Sequence, residues 1–100
     1  MPIEQLRFVE DQPEFIGGRD LVIFAGYSGE RRIVFEVTFE AFGRLAELGR
    51  ANEANIADLW AQFLNELIAI ANILWAAEPG KERYLITDFE VQAWLPTRGR

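Results

Sequence analysis

The residues able to do chemistry are few, because the chain contains no His and no Cys. Their absence removes the commonest acid–base catalyst and metal ligand, together with disulfides, thiolate catalysis and cysteine-based zinc sites. Ser28 is the one serine, and without a histidine to activate it the usual form of serine catalysis is excluded. The sequence therefore predicts no catalytic, cofactor-binding or metal-ligating residue.

Carboxylates are the remaining groups that would suit catalysis or cation binding. Glu10, Asp11 and Glu14 form an acidic loop whose oxygens suit a hard cation, but their spacing matches no calcium-binding loop. Glu66 is the one charge flanking a long apolar stretch, and its functional interpretation is a buried proton donor. Charged residues are rarely buried without a partner, so the sequence favours a Glu66 that reaches solvent or pairs with an arginine.

Glycines in this chain mark turns rather than phosphate-binding loops. Gly17-Gly18 and the pair Gly26 and Gly29 precede no predicted helix, and the only lysine, Lys81, lies far from both. A nucleotide loop needs glycines that lead into a helix, with a lysine beside them. No nucleotide site is predicted.

Arg31 and Arg32 lie in a predicted hairpin with Tyr27 nearby. Such a group is able to contact an anion or a nucleic-acid backbone. Two adjacent arginines more often solubilise an exposed turn and strand edge, and the sequence favours this interpretation. The formal net charge of −6 also argues against nucleic acid and against anionic membranes as partners.

The composition predicts a single globular domain of a cytoplasmic protein. Half of the 100 residues are apolar and the chain is rich in Phe and Trp, which is typical of a folded protein. The first residues lack a basic stretch followed by an apolar run, so no signal peptide is predicted. We expect the domain to span residues 1–95 and residues 96–100 to form a flexible tail.

A helix from Asn55 to Ala77 is the element around which the others must be arranged. No Gly or Pro interrupts it, and its polar side chains recur every three or four residues as one narrow stripe. Two apolar stripes cover the rest of it: Ile56, Trp60, Phe63, Leu67, Ile70 and Leu74, and then Ala57, Ala61, Leu64, Ile68, Ala71 and Trp75. A helix apolar nearly all round is a buried helix. Its acids and amides interrupt every run before it is long enough to span a membrane.

Apolar runs and alternating patterns predict the strands. They span residues 2–9, 21–27, 32–37 and 84–86, and the segment from Glu10 to Glu14 is a loop. A few residues containing Gly join the second strand to the third, so these two form an antiparallel hairpin. The position of the fourth strand in the sheet is left open.

Polar residues mark the starts of two further helices. Thr38 is suited to cap a first helix, Phe39–Leu48, because its hydroxyl accepts a backbone N–H. Thr87 and Glu90 have the spacing of a capping box for a short helix over residues 88–95, and a longer last strand is the alternative. Together the elements predict an α+β fold. A mainly antiparallel four-stranded sheet, in chain order β-β-β-α-α-β, packs one face against a short and a long helix, with an optional short C-terminal helix.

Three stretches carry a resemblance to a known family. They are the hairpin with the first helix, VIFAGYSGERRIVFEVTFEAFGRL, the long helix, LWAQFLNELIAIANILW, and the last strand, GKERYLITDF. Between Leu21 and Phe89 the chain resembles the bacterial family of short proteins called domain of unknown function 1488. It departs from the family at Leu67, where a basic residue is usual. The family has no established activity, so the resemblance implies a fold and an uncharacterised protein.

The unequal lengths of the two main helices predict an uncovered surface. At 1.5 Å per residue the long helix is about 34 Å long and the first helix about 15 Å. A short loop joins them, so they are expected to lie side by side and antiparallel. The first helix then covers the second apolar stripe only near Ala57, Ala61 and Leu64.

Beyond that reach, Ile68, Ala71 and Trp75 are expected to form a bare apolar patch of the kind that marks an interaction site. Twofold pairing is the commonest way to cover a single patch, so the sequence predicts a homodimer joined through the long helix. The alternative is internal, with Phe89 and Trp94 of the C-terminal segment folded over the same patch.

The predicted function is that of a non-enzymatic domain that binds itself or another protein. The alternative is a domain that binds a small molecule or a regulatory ligand in a pocket between the sheet and the long helix, lined by Trp60 and Phe63. An enzyme that uses carboxylates is the least favoured class, because no two acids share a recognisable catalytic spacing.

Overall fold

The computed structural model describes residues 6–8, 13–47 and 51–97. Its elements in chain order are strands β1 (Glu14–Ile16), β2 (Leu21–Ser28) and β3 (Arg31–Thr38), helices α1 (Phe39–Leu45) and α2 (Ile56–Ala77), strand β4 (Arg83–Ile86) and helix α3 (Asp88–Trp94). Short 3₁₀ turns occupy Gly17–Arg19 and Leu95–Thr97. The predicted α+β class is confirmed.

The four strands form one mixed sheet in the order β1-β2-β3-β4. β1, β2 and β3 are antiparallel neighbours, whereas β4 runs parallel to β3. Parallel neighbours cannot be joined by a tight turn, so the chain crosses over through α1 and α2 before it returns as β4. The strand whose position the sequence left open therefore lies beside β3, at an edge of the sheet.

The hairpin of β2 and β3 sends alternate side chains into the core. Ile33, Phe35 and Val37 of β3 are fully buried, as the alternation predicts. Phe35 faces Phe24 of β2, and Val37 faces Val22. The opposite face of the sheet carries the half-buried and exposed residues of the same strands, together with Leu21 and Ala25, which are buried but lie outside the core cluster.

Stacked aromatic rings run across the covered face of the sheet. The ring centres of Phe24 and Phe35 are 5.4 Å apart, and those of Phe35 and Tyr84 are 5.3 Å apart, with interplanar angles of 22° and 17°. α2 lies over this row. Trp60, near its start, is 5.2 Å from Phe24, and Trp75, near its end, is 6.3 Å from Tyr84. The long helix therefore crosses the sheet from β2 to β4.

The buried line of α2 winds around the helix instead of following one straight stripe. It consists mainly of residues four positions apart: Leu59, Phe63, Leu67, Ala71 and Trp75. Four residues turn a helix by one full turn plus about 40°, so such a row is inclined to the helix axis. This inclination lets the helix follow a twisted sheet. Four members of the first predicted stripe, Ile56, Phe63, Leu67 and Ile70, are buried, and the contact line then passes to Ala71 and Trp75 of the second stripe.

Of the predicted strand over residues 2–9, the structure describes residues 6–8, which contain one isolated β-bridge. Of its described residues, Arg7 pairs with Tyr27 of β2, and the first strand of the sheet is Glu14–Ile16, which begins in the predicted loop. The backbone N–H of Leu6, next to this bridge, donates to Oδ1 of Asn72 on α2 at 3.0 Å. Residues 1–5 and 9–12, including Glu10 and Asp11, lie outside the described residues.

The capping predicted for the first helix is confirmed, but the helix is shorter than expected. The hydroxyl of Thr38 accepts the backbone N–H of Ala41 at 3.1 Å. The helix ends at Leu45, and Glu47 adopts a left-handed backbone with φ of 59°, which is incompatible with a continuing helix. Leu48, the predicted last residue of this helix, lies outside the described residues.

The capping box before α3 is confirmed. The backbone N–H of Thr87 donates to Oε1 of Glu90 at 2.6 Å, and the Phe89 N–H donates to the Thr87 hydroxyl at 3.2 Å. These bonds start a helix directly after β4, so the alternative of a longer last strand is wrong. Of the predicted tail, Pro96 and Thr97 belong to a 3₁₀ turn.

Gly26 is required by close packing, and this generates a stability prediction. A Cβ at this position would lie 2.8 Å from Cε1 of Phe8 and 3.2 Å from Cβ of Leu6. Gly26→Ala should therefore cost about 1–3 kcal/mol of unfolding free energy, as overpacking does, measured by denaturant unfolding.

Gly18→Ala is the matched control for this experiment, because a Cβ there meets no atom within 4 Å. The loss at Gly26 should shrink when Phe8 is also replaced by Ala, since the clashing ring is then absent. Equal effects of Gly26→Ala and Gly18→Ala would contradict the packing explanation.

Candidate functional site

The three residues of the predicted dimer patch do not lie together on the surface. Ala71 is 0% exposed and Trp75 is 7% exposed, and both belong to the core. Ile68 is half-buried. The prediction of a bare patch of Ile68, Ala71 and Trp75 is therefore wrong. The inclined contact line of α2 turns Ala71 and Trp75 towards the core.

Elements of the same chain cover this part of α2. The ring of Trp75 meets the ring of Tyr84 of β4 edge-on, at an interplanar angle of 72°. One turn of helix away, Asn72 accepts the backbone N–H of Leu6, and its side-chain amide donates to the carbonyl of Ile68 at 3.2 Å. Phe89, offered by the sequence as an internal cover, is instead 77% exposed.

The residues predicted to line a ligand pocket are part of packed regions. Phe63 is buried in the core cluster, and the ring of Trp60 packs against that of Phe24. At these two residues, packed side chains fill the space between the sheet and α2 in which the sequence predicts a ligand pocket.

An open groove of about 490 Å³ lies instead where the end of α2 meets β4. Its lining combines apolar and charged side chains: Glu36, Leu74, Ala77, Glu78, Lys81, Arg83, Tyr84 and Leu85. The charges along it are satisfied within the chain. Arg83 pairs with Glu36, Lys81 lies 3.1 Å from a carboxylate oxygen of Glu78, and the Tyr84 hydroxyl donates to the Glu78 carbonyl at 2.6 Å.

The acids singled out in the sequence form no metal-binding cluster among the residues described. Glu66 is half-buried on α2, Oε2 of its carboxylate is buried, and the residue has an interaction partner. Glu14 is exposed on β1. Within residues 6–8, 13–47 and 51–97, no three acidic side chains are grouped closely enough to hold a metal ion.

The outward side of α2 carries a run of apolar residues that the described chain leaves accessible. Ala57 and Ala61 are exposed, and Leu64 and Ile68 are half-buried. Their spacing of four, three and four places them in one stripe along the helix, named here the α2 flank. The first helix was expected to cover Ala57, Ala61 and Leu64, but the exposure of the two alanines shows that it does not.

Asn72 and Gly26 are structurally important residues whose roles sequence reasoning missed. An amide within an apolar helix can indicate a buried hydrogen bond. The polar stripe of α2 contains several amides, however, and the sequence does not distinguish Asn72 from the others. Gly26 lacks a positive φ, so no turn required it, and only the approach of Phe8 explains it.

By length and composition α2 has the character of a helix able to cross a membrane, with a mean hydropathy of 1.3 in its most apolar 18-residue window. One third of that window is buried against the rest of the chain. Seven residues of α2 lie in the core, including Phe63 and Trp75.

Comparison with known proteins finds likeness in structure rather than in sequence. No family model matches the chain, and no curated protein matches it. A solved structure from Shewanella loihica PV-4, described as a protein of unknown function from the DUF1488 family, is similar with a TM-score of 0.70 and 17% sequence identity. The match covers 85% of this chain and 96% of the other.

The chain has a DUF1488-like fold. The family resemblance seen in the sequence is thereby supported at the level of the fold, across most of the chain. The relative is of unknown function, so the likeness brings no activity, ligand or partner with it.

The burial of Trp75 in this DUF1488-like domain generates a second prediction. Trp75→Ala should cost about 3–5 kcal/mol of unfolding free energy, as truncations of buried aromatic residues do. Ile68→Ala, on the half-buried flank, should cost distinctly less. Denaturant unfolding of both variants tests this, and a loss below about 1 kcal/mol for Trp75→Ala would contradict its place in the core.

Proposed function

We propose that this domain is non-enzymatic and forms homodimers, or binds another protein, through the α2 flank. The support for this function is that Ala57, Ala61, Leu64 and Ile68 form an apolar stripe that the described chain leaves accessible. Removing such a surface from water is the main favourable term in most protein association.

The side chains of the α2 flank suit contact with another helix. Ala57 and Ala61 are small, so the backbone of a partner helix is able to approach closely, while Leu64 and Ile68 supply apolar area. Exposed polar residues, Asp58, Gln62 and Asn65, border the flank and fit the polar rim that surrounds most interfaces. Twofold pairing of two α2 helices would bring the same stripe together from both chains.

The size of the flank sets the expected strength of association. From Ala57 to Ile68 it extends for about 17 Å, and with a helix about 10 Å wide it offers only ~200 Å². Stable interfaces commonly bury about 800 Å² on each partner. The dimer is therefore expected to be reversible and to depend on protein concentration.

The third prediction concerns mass in solution, measured by light scattering over a concentration series. The wild-type mass should rise from one chain towards two at high micromolar concentration. Ala61→Glu and Ile68→Glu should keep the mass at that of one chain, because each places a charge in the α2 flank, which the dimer would bury.

Ile73→Glu is the matched control, since Ile73 is 52% exposed on the other side of the polar stripe of α2. This variant should dimerise like the wild type. Thermal melts establish that each variant is folded, and the exposed Ala61 keeps the test valid if Ile68→Glu is unstable. A wild-type mass of one chain at the highest concentration would rule out the dimer.

A small-molecule-binding function is a second candidate, and the groove between the end of α2 and β4 favours it. Apolar walls with a few polar groups are typical of ligand sites. The discriminating measurement is a thermal melt with candidate ligands. A ligand present at one hundred times its dissociation constant raises stability by about 2.7 kcal/mol, which such a melt detects readily.

A further inference from the structure

Three side chains form a row on the sheet face opposite the helices. Arg7 and Tyr27 exchange backbone hydrogen bonds of 2.9 and 2.8 Å, and Tyr27 is paired on its other side with Arg32 of β3. Directly paired residues on neighbouring strands point to the same face of a sheet. Arg7, Tyr27 and Arg32 therefore lie side by side, at the end of the sheet that carries the β2–β3 turn.

The first arginine of this row is held in place. Its guanidinium carbon lies 5.7 Å from the centre of the Tyr27 ring, within the range of a cation–π contact. Nη2 of Arg7 also donates to the carbonyl of Gly29 at 3.4 Å. Both contacts restrain a long side chain without neutralising its charge, so less conformational freedom remains to be lost when an anion binds.

The two arginines of this row differ from the neighbouring cations in their ion pairing. The other cations near this end of the sheet are each paired with a carboxylate: Arg31 with Glu82, Lys81 with Glu78 and Arg83 with Glu36. Arg7 and Arg32 are exposed, and neither has a carboxylate within 4.0 Å among the described residues. Glu30, in the adjacent turn, is exposed and makes no ion pair with them. Among the described residues, Arg7 and Arg32 are thus the cations at this end of the sheet that lack a carboxylate partner, in a chain whose net charge is −6.

We propose that Arg7 and Arg32 bind the phosphate group of a small ligand beside Tyr27. The planar guanidinium group presents donors in a fork that matches phosphate oxygens, and two such groups flanking one ring supply a local charge of matching sign. A small ligand fits better than a polyanion, because nucleic acids and anionic membranes are held by many cationic contacts and repelled by an acidic protein.

The test is an NMR titration with sodium phosphate, compared with sodium chloride at the same ionic strength. Phosphate should produce saturable shifts at the backbone and side-chain resonances of Arg7, Tyr27 and Arg32, and chloride should not. Arg7→Gln and Arg32→Gln should each weaken phosphate binding about tenfold or more, because each removes a charge-assisted hydrogen bond.

Arg19→Gln is the matched control, since it makes the same charge change at an exposed arginine at the opposite end of β2. It should leave the phosphate affinity unchanged. Thermal melts confirm folding, and Arg32→Gln decides the question by itself if Arg7→Gln is unstable.

Two results would overturn this site. One is a phosphate response no larger than that of chloride, or one that persists when both arginines are replaced. The other is binding of single-stranded oligonucleotides that is tighter than that of inorganic phosphate and strengthens with length, which would identify a polyanion instead. Neither result depends on the α2 flank, so the phosphate site and the dimer are tested independently of each other.

Discussion

The stacked rings of Phe24, Phe35 and Tyr84 are the interaction on which the rest of the structure depends. They project from three neighbouring strands onto one face, and such cross-strand aromatic contacts stabilise a sheet beyond simple area burial. Tyr84 joins this row because β4 lies parallel to β3. That arrangement in turn requires a long crossover, which α1 and α2 provide.

The length and composition of α2 follow from this row of rings. A helix that crosses from β2 to β4 must present apolar residues along an inclined line, and Trp60 and Trp75 meet the row near its two ends. Leu6 and Phe8 then pack against the same two layers. Phe8 packs on Phe24 above Gly26, and Leu6 is tied to Asn72 of the helix. Glycine at position 26 and an amide in an apolar helix are consequences of one packing arrangement.

Covering the sheet on one side leaves two surfaces of different character. The α2 flank lies on one side of the helix and is apolar, whereas the row of Arg7, Tyr27 and Arg32 lies on the sheet face opposite the helices and is cationic. The two surfaces are separated by the core, so occupation of one does not obstruct the other. A domain that self-associates through its helix would therefore keep its arginine row accessible to a ligand.

The sequence by itself determined the features that depend on residues a few positions apart. The Thr38 cap, the Thr87–Glu90 box and the alternation of β3 are local, because each joins groups within one helical turn or one pleat. The resemblance to the DUF1488 family likewise follows the order of these elements, and the structural likeness supports the fold that it implied.

Only the tertiary structure decided which sides of these elements are covered. The hydrogen bond from Leu6 to Asn72 joins residues 66 positions apart, and no local period encodes such a contact. The inclined path of α2 buries Ala71 and Trp75, because the helix follows a twisted sheet whose last strand had no assigned place in the sequence. The pairing of Arg7 with Tyr27 arises in the same way. Which surfaces remain for function is therefore set by contacts between distant segments, and these exist only once the chain is folded.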